Sequence, residues 1–380
     1  MLTSAPFFAM GNEASVALAA PKSPEMQMGD APHSPPSPIV AVDTSLIGAT
    51  GPENQSNHGV LPRLGPTVAG GPGITPCSSP AVMVRPLGAL NFSNPDQLVA
   101  QMPGVMKVFD RLGSGTFSHV YRCHVVGEAE QVAVKLCMRD PELVLAREAS
   151  LLLGLKHVNL MGLARVIEGP PVGLFLELCP GGELSDFLHN EKYAERIHSV
   201  PLKARVVTWL EVSSAVKYLH SKNILHRDIS SANCFLTQPP EAVHDKTIPM
   251  VKLGDLSLAR HIDTSHLTAG MGTCWYMAPE VMEDDSYGLP ADIYSIGILA
   301  HELCSGRVPF ASPGIAQPSD VALILMIASG QRPDPDAILT APKKEKVQAL
   351  VAQCWHQEAE ERPIAEDLVE RLQQVLWSWS

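Results

Sequence analysis

One lysine restricts the fold more than any other residue. Lys135 sits in the apolar run Gln131-Val132-Ala133-Val134-Lys135-Leu136, which has the composition of a strand. An ammonium group there is costly unless a carboxylate meets it. The next segment supplies one. Asp140 as N-cap and Pro141 at the first position open a helix over Glu142 to Leu155, with Leu145, Ala149, Leu152 and Leu153 as its apolar stripe. Glu148 lies on that helix and is the natural partner. Alone, Lys135 reads as an edge-strand lysine and Glu148 as a solvated helix charge. Each of these readings weakens because the other residue is present.

The flanking segments continue the pattern. Val105 to Leu112 alternates as a strand, Gly113-Ser114-Gly115 breaks it, and Val120 to Val126 is a second strand. Glycines in such a hairpin let backbone N–H groups approach phosphates. An ordinary hairpin turn is the plainer alternative. A dinucleotide-binding loop would run from a strand into a helix. Here a strand follows, so an oxidoreductase built on Gly113-x-Gly115 fails. Leu174 to Cys179 is a buried strand ending at Pro180-Gly181-Gly182, a glycine turn that reads as a hinge. Glu183 to Leu188 opens a mainly helical second lobe, and Val206 to Lys222 has apolar residues at helical spacing.

That helix leads into Ile224-Leu225-His226-Arg227-Asp228-Ile229-Ser230-Ser231-Ala232-Asn233-Cys234-Phe235-Leu236. It is a polar loop between apolar anchors, with an acid, Asp228, ahead of an amide, Asn233. A second acid, Asp255, ends the apolar run Val251-Lys252-Leu253-Gly254. Few hard oxygen donors of this kind suit Mg²⁺ when phosphates fill the remaining positions. The constellation implies metal-assisted phosphoryl transfer.

Composition removes several alternatives. A net charge of −12 and a pI near 5.6 argue against nucleic acid as a partner. Eight cysteines are scattered with none at CxxC spacing, so neither a zinc site nor a disulfide framework is expected, and a reducing compartment is. No apolar run reaches the roughly 18–20 residues that span a bilayer. Met1 to Ala20 is a poor secretory signal. A cytoplasmic location is expected, with the nucleus also open. Residues 1–100 hold 15 of the 33 prolines and three basic residues, Lys22, Arg63 and Arg85. They read as a disordered Pro-rich tail, with order beginning near Met102. Ser23-Pro24, Ser34-Pro35 and Ser37-Pro38 are possible proline-directed phosphorylation sites, although low-complexity linker is the plainer reading. Glu191 to Pro201 and Gln238 to Pro249 read as polar loops.

In their order these motifs resemble the eukaryotic protein kinase superfamily over about residues 104 to 376. Gly113 to Val120 looks like the glycine-rich loop, Val132-Ala133-Val134-Lys135 the strand-three lysine motif, and Glu148 its helix-C partner. His226-Arg227-Asp228 with Asn233 looks like the catalytic loop, Asp255-Leu256-Ser257 stands where the family has Asp-Phe-Gly, and Ala278-Pro279-Glu280 closes the activation segment. Asp292 to Gly297 resembles the helix-F motif. Asn159, Gly272-Thr273, Cys354-Trp355 and Arg362-Pro363 look most like the tyrosine-kinase-like group, whose members are mainly serine/threonine kinases. The resemblance implies an α+β bilobal fold, with an N-lobe over 101–180 and a C-lobe over 181–380. It implies a protein serine/threonine kinase using ATP and Mg²⁺ on protein substrates, with Asp228 as catalytic base. Lys135, oriented by Glu148, would hold the α- and β-phosphates, and Asn233 and Asp255 would hold Mg²⁺. Leu112, Gly113, Ser114, Gly115, Val120, Ala133 and Phe235 would surround the nucleotide. The backbone of Glu177 and Cys179 would bond the adenine, Glu183 would reach the ribose and Leu176 would gate the back of the pocket. Arg227 would pair with a phosphate placed by an upstream kinase on Thr264, Ser265 or Thr268. Thr273 would contact Asp228, and Glu280 would pair with Arg362.

Three positions depart from the family. Ser118 replaces the third loop glycine. Ser257 replaces the glycine after Asp255-Leu256, at a cost of about 1–2 kcal/mol if that backbone is left-handed. Ser230 stands where most serine/threonine kinases carry a lysine, which resembles the LIM-kinase and testis-specific-kinase branch of dual-specificity enzymes. Ser230 and Ser257 also motivate the alternative reading, an ATP-binding pseudokinase acting as a signalling scaffold.

Overall fold

The computed structural model describes residues 95–100, 102–114, 118–137, 141–167, 173–243, 246–262, 273–283, 287–311 and 317–379. Helix α1 (Pro95–Ala100) precedes strands β1 (Val105–Ser114), β2 (Ser118–Val125) and β3 (Val132–Cys137). Helix α2 (Pro141–Leu153), β4 (Leu163–Ile167) and β5 (Gly173–Glu177) follow. The strands form one antiparallel sheet in the order β1-β2-β3-β5-β4. The N-cap expected at Asp140 lies outside the described residues.

Alternation along β3 and β5 gives the sheet two faces. Ala133 and Leu176 point to the side that packs with Ala149 and Leu152 of α2. Val134, Leu136 and Phe175 point the other way, with Tyr121 and Cys123 of β2. That outer face is covered. Val99 of α1 and Met102 are both fully enclosed there, and the Tyr121 hydroxyl donates to Asp96 at 2.8 Å. The outer face is apolar and needs a lid, which α1 and Met102 supply. The stripe of α2 also differs from expectation. Leu151 and Leu152 are buried, whereas Leu153 is 61% exposed.

Gly181 and Gly182 make the connection to the lower lobe. A Cβ on Gly181 would collide with the Gln238 carbonyl, and Gly182 has φ +75°, where a side chain is strained. The helices α3 (Leu184–His189), α4 (Ala194–Ser199) and α5 (Leu202–His220) come next. Short strands β6 (Ile224–Leu225), β7 (Cys234–Leu236), β8 (Val251–Leu253) and β9 (Arg260–His261) pair as β6 with β9 and β7 with β8. Helices α6 (Pro279–Glu283), α7 (Pro290–Ser305), α8 (Asp320–Ala328), α9 (Lys344–Cys354) and α10 (Ala365–Trp377) complete the lobe. All of α7 but its ends and Ser295 is buried, as expected of a helix apolar on every side. The architecture is a small antiparallel sheet with one long helix above a mainly helical lobe.

The two segments expected as polar loops are partly helical and touch each other. Ile197 and Val200 are buried, Lys192 pairs with Glu241 at 2.7 Å, and Arg196 donates to the Val243 carbonyl at 2.5 Å. Arg205 of α5 fastens the first segment down. Its buried guanidinium donates to the carbonyls of Ile197, Val200 and Leu303.

Candidate active site

The site is built on Asp292 of α7, which is buried and touches the loop backbone instead of any ligand. Its Oδ2 accepts the His226 N–H and its Oδ1 the Arg227 N–H, each at 2.9 Å. His220 closes on Oδ2 at 2.9 Å. Burial alone would raise this carboxyl, but the bonds from His220 and the loop outweigh it and hold it below the ordinary range. Arg227 adopts φ +73°. A left-handed residue with a Cβ is disfavoured, and the paired N–H bonds to Asp292 hold the turn in that shape. His226 is buried and bonds the Gly254 carbonyl at 3.0 Å, which ties the loop to the segment bearing Asp255.

Asp228 projects from this anchored turn. Its Oδ1 accepts from the Thr273 N–H at 3.0 Å and hydroxyl at 3.1 Å. Its Oδ2 accepts from Asn233 Nδ2 at 2.8 Å, and the same amide nitrogen donates to the Asp228 carbonyl. The carboxylate is thus held in one orientation from two sides. Beneath it, the Ser231 hydroxyl donates to Glu302 at 2.9 Å, and the Tyr276 hydroxyl to the same carboxylate at 2.6 Å. His189 closes on Glu302 at 2.7 Å. Of these supports the Thr273 contact is expected from the sequence; the bonds to Glu302 are not, because they join residues far apart in the chain. Ser230 is buried, and its hydroxyl has no partner among the described residues.

Lys135 sits across from this loop. Its Nζ donates to both oxygens of Glu148 and to Asp255 Oδ1, each at 2.9 Å. Burial pulls the ammonium down, but the two carboxylates more than offset it, so its pKa stands above the ordinary value. Asp255 has φ +55°, so it, and not Ser257, occupies the left-handed backbone. The cost attached to Ser257 does not arise. Instead its N–H donates to Asp255 Oδ1 at 3.2 Å. Burial would raise the Asp255 carboxyl, but the Lys135 charge and the Ser257 bonds hold it at about 2. Leu176 faces the small cavity behind this trio, together with Glu148, Asp255, Leu152, Leu160 and Met161.

The other residues expected around a nucleotide differ in burial. Ala133 and Cys179 are buried, Val120, Glu177, Glu183 and Phe235 half-buried, and Leu112 exposed. Gly113 and Ser114 end β1, where the Ser114 hydroxyl meets His119 Nδ1 at 2.9 Å. The Ser185 hydroxyl donates to Glu183 at 2.9 Å. Gly115 and the candidate acceptors Thr264, Ser265 and Thr268 lie outside the described residues. Glu280 and Arg362 form a two-pronged pair at 2.6 and 2.8 Å inside the lower lobe.

The donor set fits a hard divalent cation. Asn233 spends its Nδ2 on Asp228, which leaves the amide oxygen as its ligand atom. Asp255 is ionised and keeps Oδ2 outside the Lys135 and Ser257 bonds. Both are the oxygen ligands that Mg²⁺ prefers.

Comparison with known proteins agrees with this geometry. The chain is 28% identical over 279 residues to the serine/threonine-protein kinase STY46 of Arabidopsis thaliana, covering 71% of this chain and 44% of that protein. It is 34% identical over 224 residues to the serine/threonine-protein kinase DCLK1 of Rattus norvegicus, covering 57% and 49%. It is 29% identical over 218 residues to the serine/threonine-protein kinase ULK3 of Homo sapiens, covering 55% and 43%. The chain thus spans about half the length of these relatives or less. A family of this kind uses ATP, Mg²⁺ and protein substrates in general. No helix among the described residues is long and apolar enough to cross a membrane. The profile described as Protein kinase domain matches residues 106–372, and the chain belongs to the protein kinase family.

Proposed function

We propose that this chain transfers the γ-phosphate of ATP to serine or threonine hydroxyls of protein substrates, with tyrosine also open. The observation that carries the proposal is the doubly held Asp228, on a loop that His226 ties to the segment bearing Asp255 of the Lys135–Glu148–Asp255 trio. Phosphoryl transfer needs positioning and charge neutralisation more than covalent chemistry. Lys135 would hold the α- and β-phosphates. Asn233 and Asp255 would hold Mg²⁺, which neutralises phosphate charge when bound. Asp228 would orient the acceptor hydroxyl and take its proton. Leu112, Val120, Ala133 and Phe235 would enclose the adenine, with Glu177 and Cys179 offering backbone groups and Glu183 the ribose contact. Nothing in the site favours the scaffold reading. Ser257, one of the two residues that motivated it, bonds Asp255 in place.

An upstream kinase acting on the segment before Thr273 also fits. Burial and the charges of Arg147 and Arg227 push the Arg260 guanidinium down, so three cations converge beside the catalytic loop. Such a cluster suits a phosphate. Cys123, Cys179, Cys234, Cys274, Cys304 and Cys354 are free thiols, which fits a cytoplasmic or nuclear setting.

The test is transfer of labelled γ-phosphate by the full chain to a mixed set of Ser, Thr and Tyr peptides, beside Asp228→Asn. The parent is expected to label Ser and Thr peptides at a rate roughly 100- to 10,000-fold above the variant. Equal labelling by both proteins would overturn the assignment.

A further inference from the structure

A second cavity, of about 280 Å³, opens between the end of α2, the connection to β4, Glu177 at the end of β5, and Lys252 of β8. Small-ligand pockets start at roughly 300 Å³, so this one suits a compact molecule. Leu152, Leu155, Leu160 and Met161 form an apolar wall. The polar groups are Lys156, His157, Glu177 and Lys252.

Their charges do not balance. Lys252 is 9% exposed. Its Nζ lies 3.1 Å from Glu177 Oε2 and 3.5 Å from the Leu160 carbonyl. The same Glu177 oxygen accepts the Gly162 N–H at 3.2 Å, so this carboxylate is shared. His157 stacks on Tyr218 and accepts the Asn159 N–H at Nδ1. Burial and the Lys252 charge push its pKa below the ordinary value. That leaves two ammonium groups, the buried Lys252 and the exposed Lys156 at the rim, against one carboxylate beside an apolar wall. An anionic head on an apolar chain matches both features.

We propose that this cavity binds a medium-chain monocarboxylate, its head between Lys252 and Lys156 and its chain along Leu152, Leu155, Leu160 and Met161. Leu152, Leu160 and Met161 also line the inner cavity that contains Glu148 and Asp255. The bound acid would lie one side chain away from the Lys135 trio. The binding step itself does not depend on the phosphoryl-transfer reading.

The experiment titrates the full chain, labelled with ¹³C-methyl methionine, with butanoate, hexanoate and octanoate. The Met161 methyl signal, assigned through Met161→Leu, is expected to move. The dissociation constant should fall roughly fourfold for each added methylene. Octanol and octylamine, which lack the anion, should bind at least about tenfold more weakly than octanoate. Lys252→Met should weaken octanoate by about tenfold or more, and Lys252→Arg should retain it. Lys156→Met carries the same test of the head group if Lys252→Met fails to fold. A Met161 signal unmoved by millimolar octanoate would overturn the proposal. So would octanol binding as well as octanoate, or unchanged octanoate affinity in the folded lysine-to-methionine variant.

Discussion

Two buried lysines face glutamates in this molecule, and their surroundings carry opposite surplus charge. Lys135 meets two carboxylates, Glu148 and Asp255. Lys252 meets one carboxylate, Glu177, and the exposed Lys156 lines the same cavity. The first group is one positive charge short and suits a cation bound with phosphates. The second is one negative charge short and suits an anion. A buried ion pair alone says little about function, because desolvation offsets much of its attraction. The uncompensated charge beside the pair points to the ligand.

The largest test of this contrast is Lys135→Met. Phosphoryl transfer should fall by at least about 100-fold. The variant also leaves two carboxylates facing each other without a cation, so it should lose about 3–5 kcal/mol of stability in urea unfolding at pH 7. Adding Glu148→Gln should recover much of the stability and none of the activity. If Lys135→Met unfolds like the parent, the trio is not the charge-tight unit described above.

A smaller effect is expected at Glu211, which has no lysine at all. Its Oε2 accepts the Val251 N–H at 3.0 Å. Burial raises its pKa to about 7 despite that bond. The folded chain therefore binds this proton more tightly than the unfolded chain does. The stability it contributes is present below about pH 4.5 and is lost as the pH rises through about 7. Glu211→Gln should be more stable than the parent at pH 8, by about 1–2 kcal/mol, and equal to it near pH 4.5. A constant difference across that range would mean that Glu211 is not buried as a carboxyl group.

Lys252→Met should cost less, about 1 kcal/mol, because Glu177 is 42% exposed and water replaces part of the pairing. A loss comparable with that of Lys135→Met would erase the distinction between the two lysines. Ser257→Ala should have the smallest effect. It keeps the N–H bond to Asp255 and removes only the hydroxyl contribution, which should weaken Mg²⁺–ATP about three- to tenfold. An unchanged nucleotide affinity would show that the Ser257 hydroxyl plays no part in orienting Asp255.

The two lysines also differ in how legible they were. Lys135 stands out because a charge interrupts a strand of Val and Ala, and Glu148 follows on a capped helix. Asp228, Asn233 and Asp255 stand out as polar atoms at the ends of apolar runs. Lys252 lies on a three-residue strand, too short to show a face, and its partner at the end of β5 reads as a solvated terminus. Strand β4 escaped because Arg165 interrupts it, yet that guanidinium lies over the Phe175 ring at 4.8 Å. Helix α1 is only six residues long and follows a proline-rich stretch. Its existence depends on the distant Tyr121 and Phe175, not on its own propensity. Ser257 was read by the glycine it replaces, although the left-handed twist belongs to a residue two places earlier.

That twist has a consequence for how the protein switches. A left-handed aspartate costs about 1–2 kcal/mol, and the bonds from Lys135 and Ser257 are of similar size. The inward position of Asp255 is then favoured over any outward one by a small margin. A change of about 1.4 kcal/mol at either donor would shift their ratio tenfold. Control of this protein need not act by building or dismantling the cleft. A single hydrogen bond gained or lost beside one rotated peptide is enough to set the fraction of molecules ready to bind.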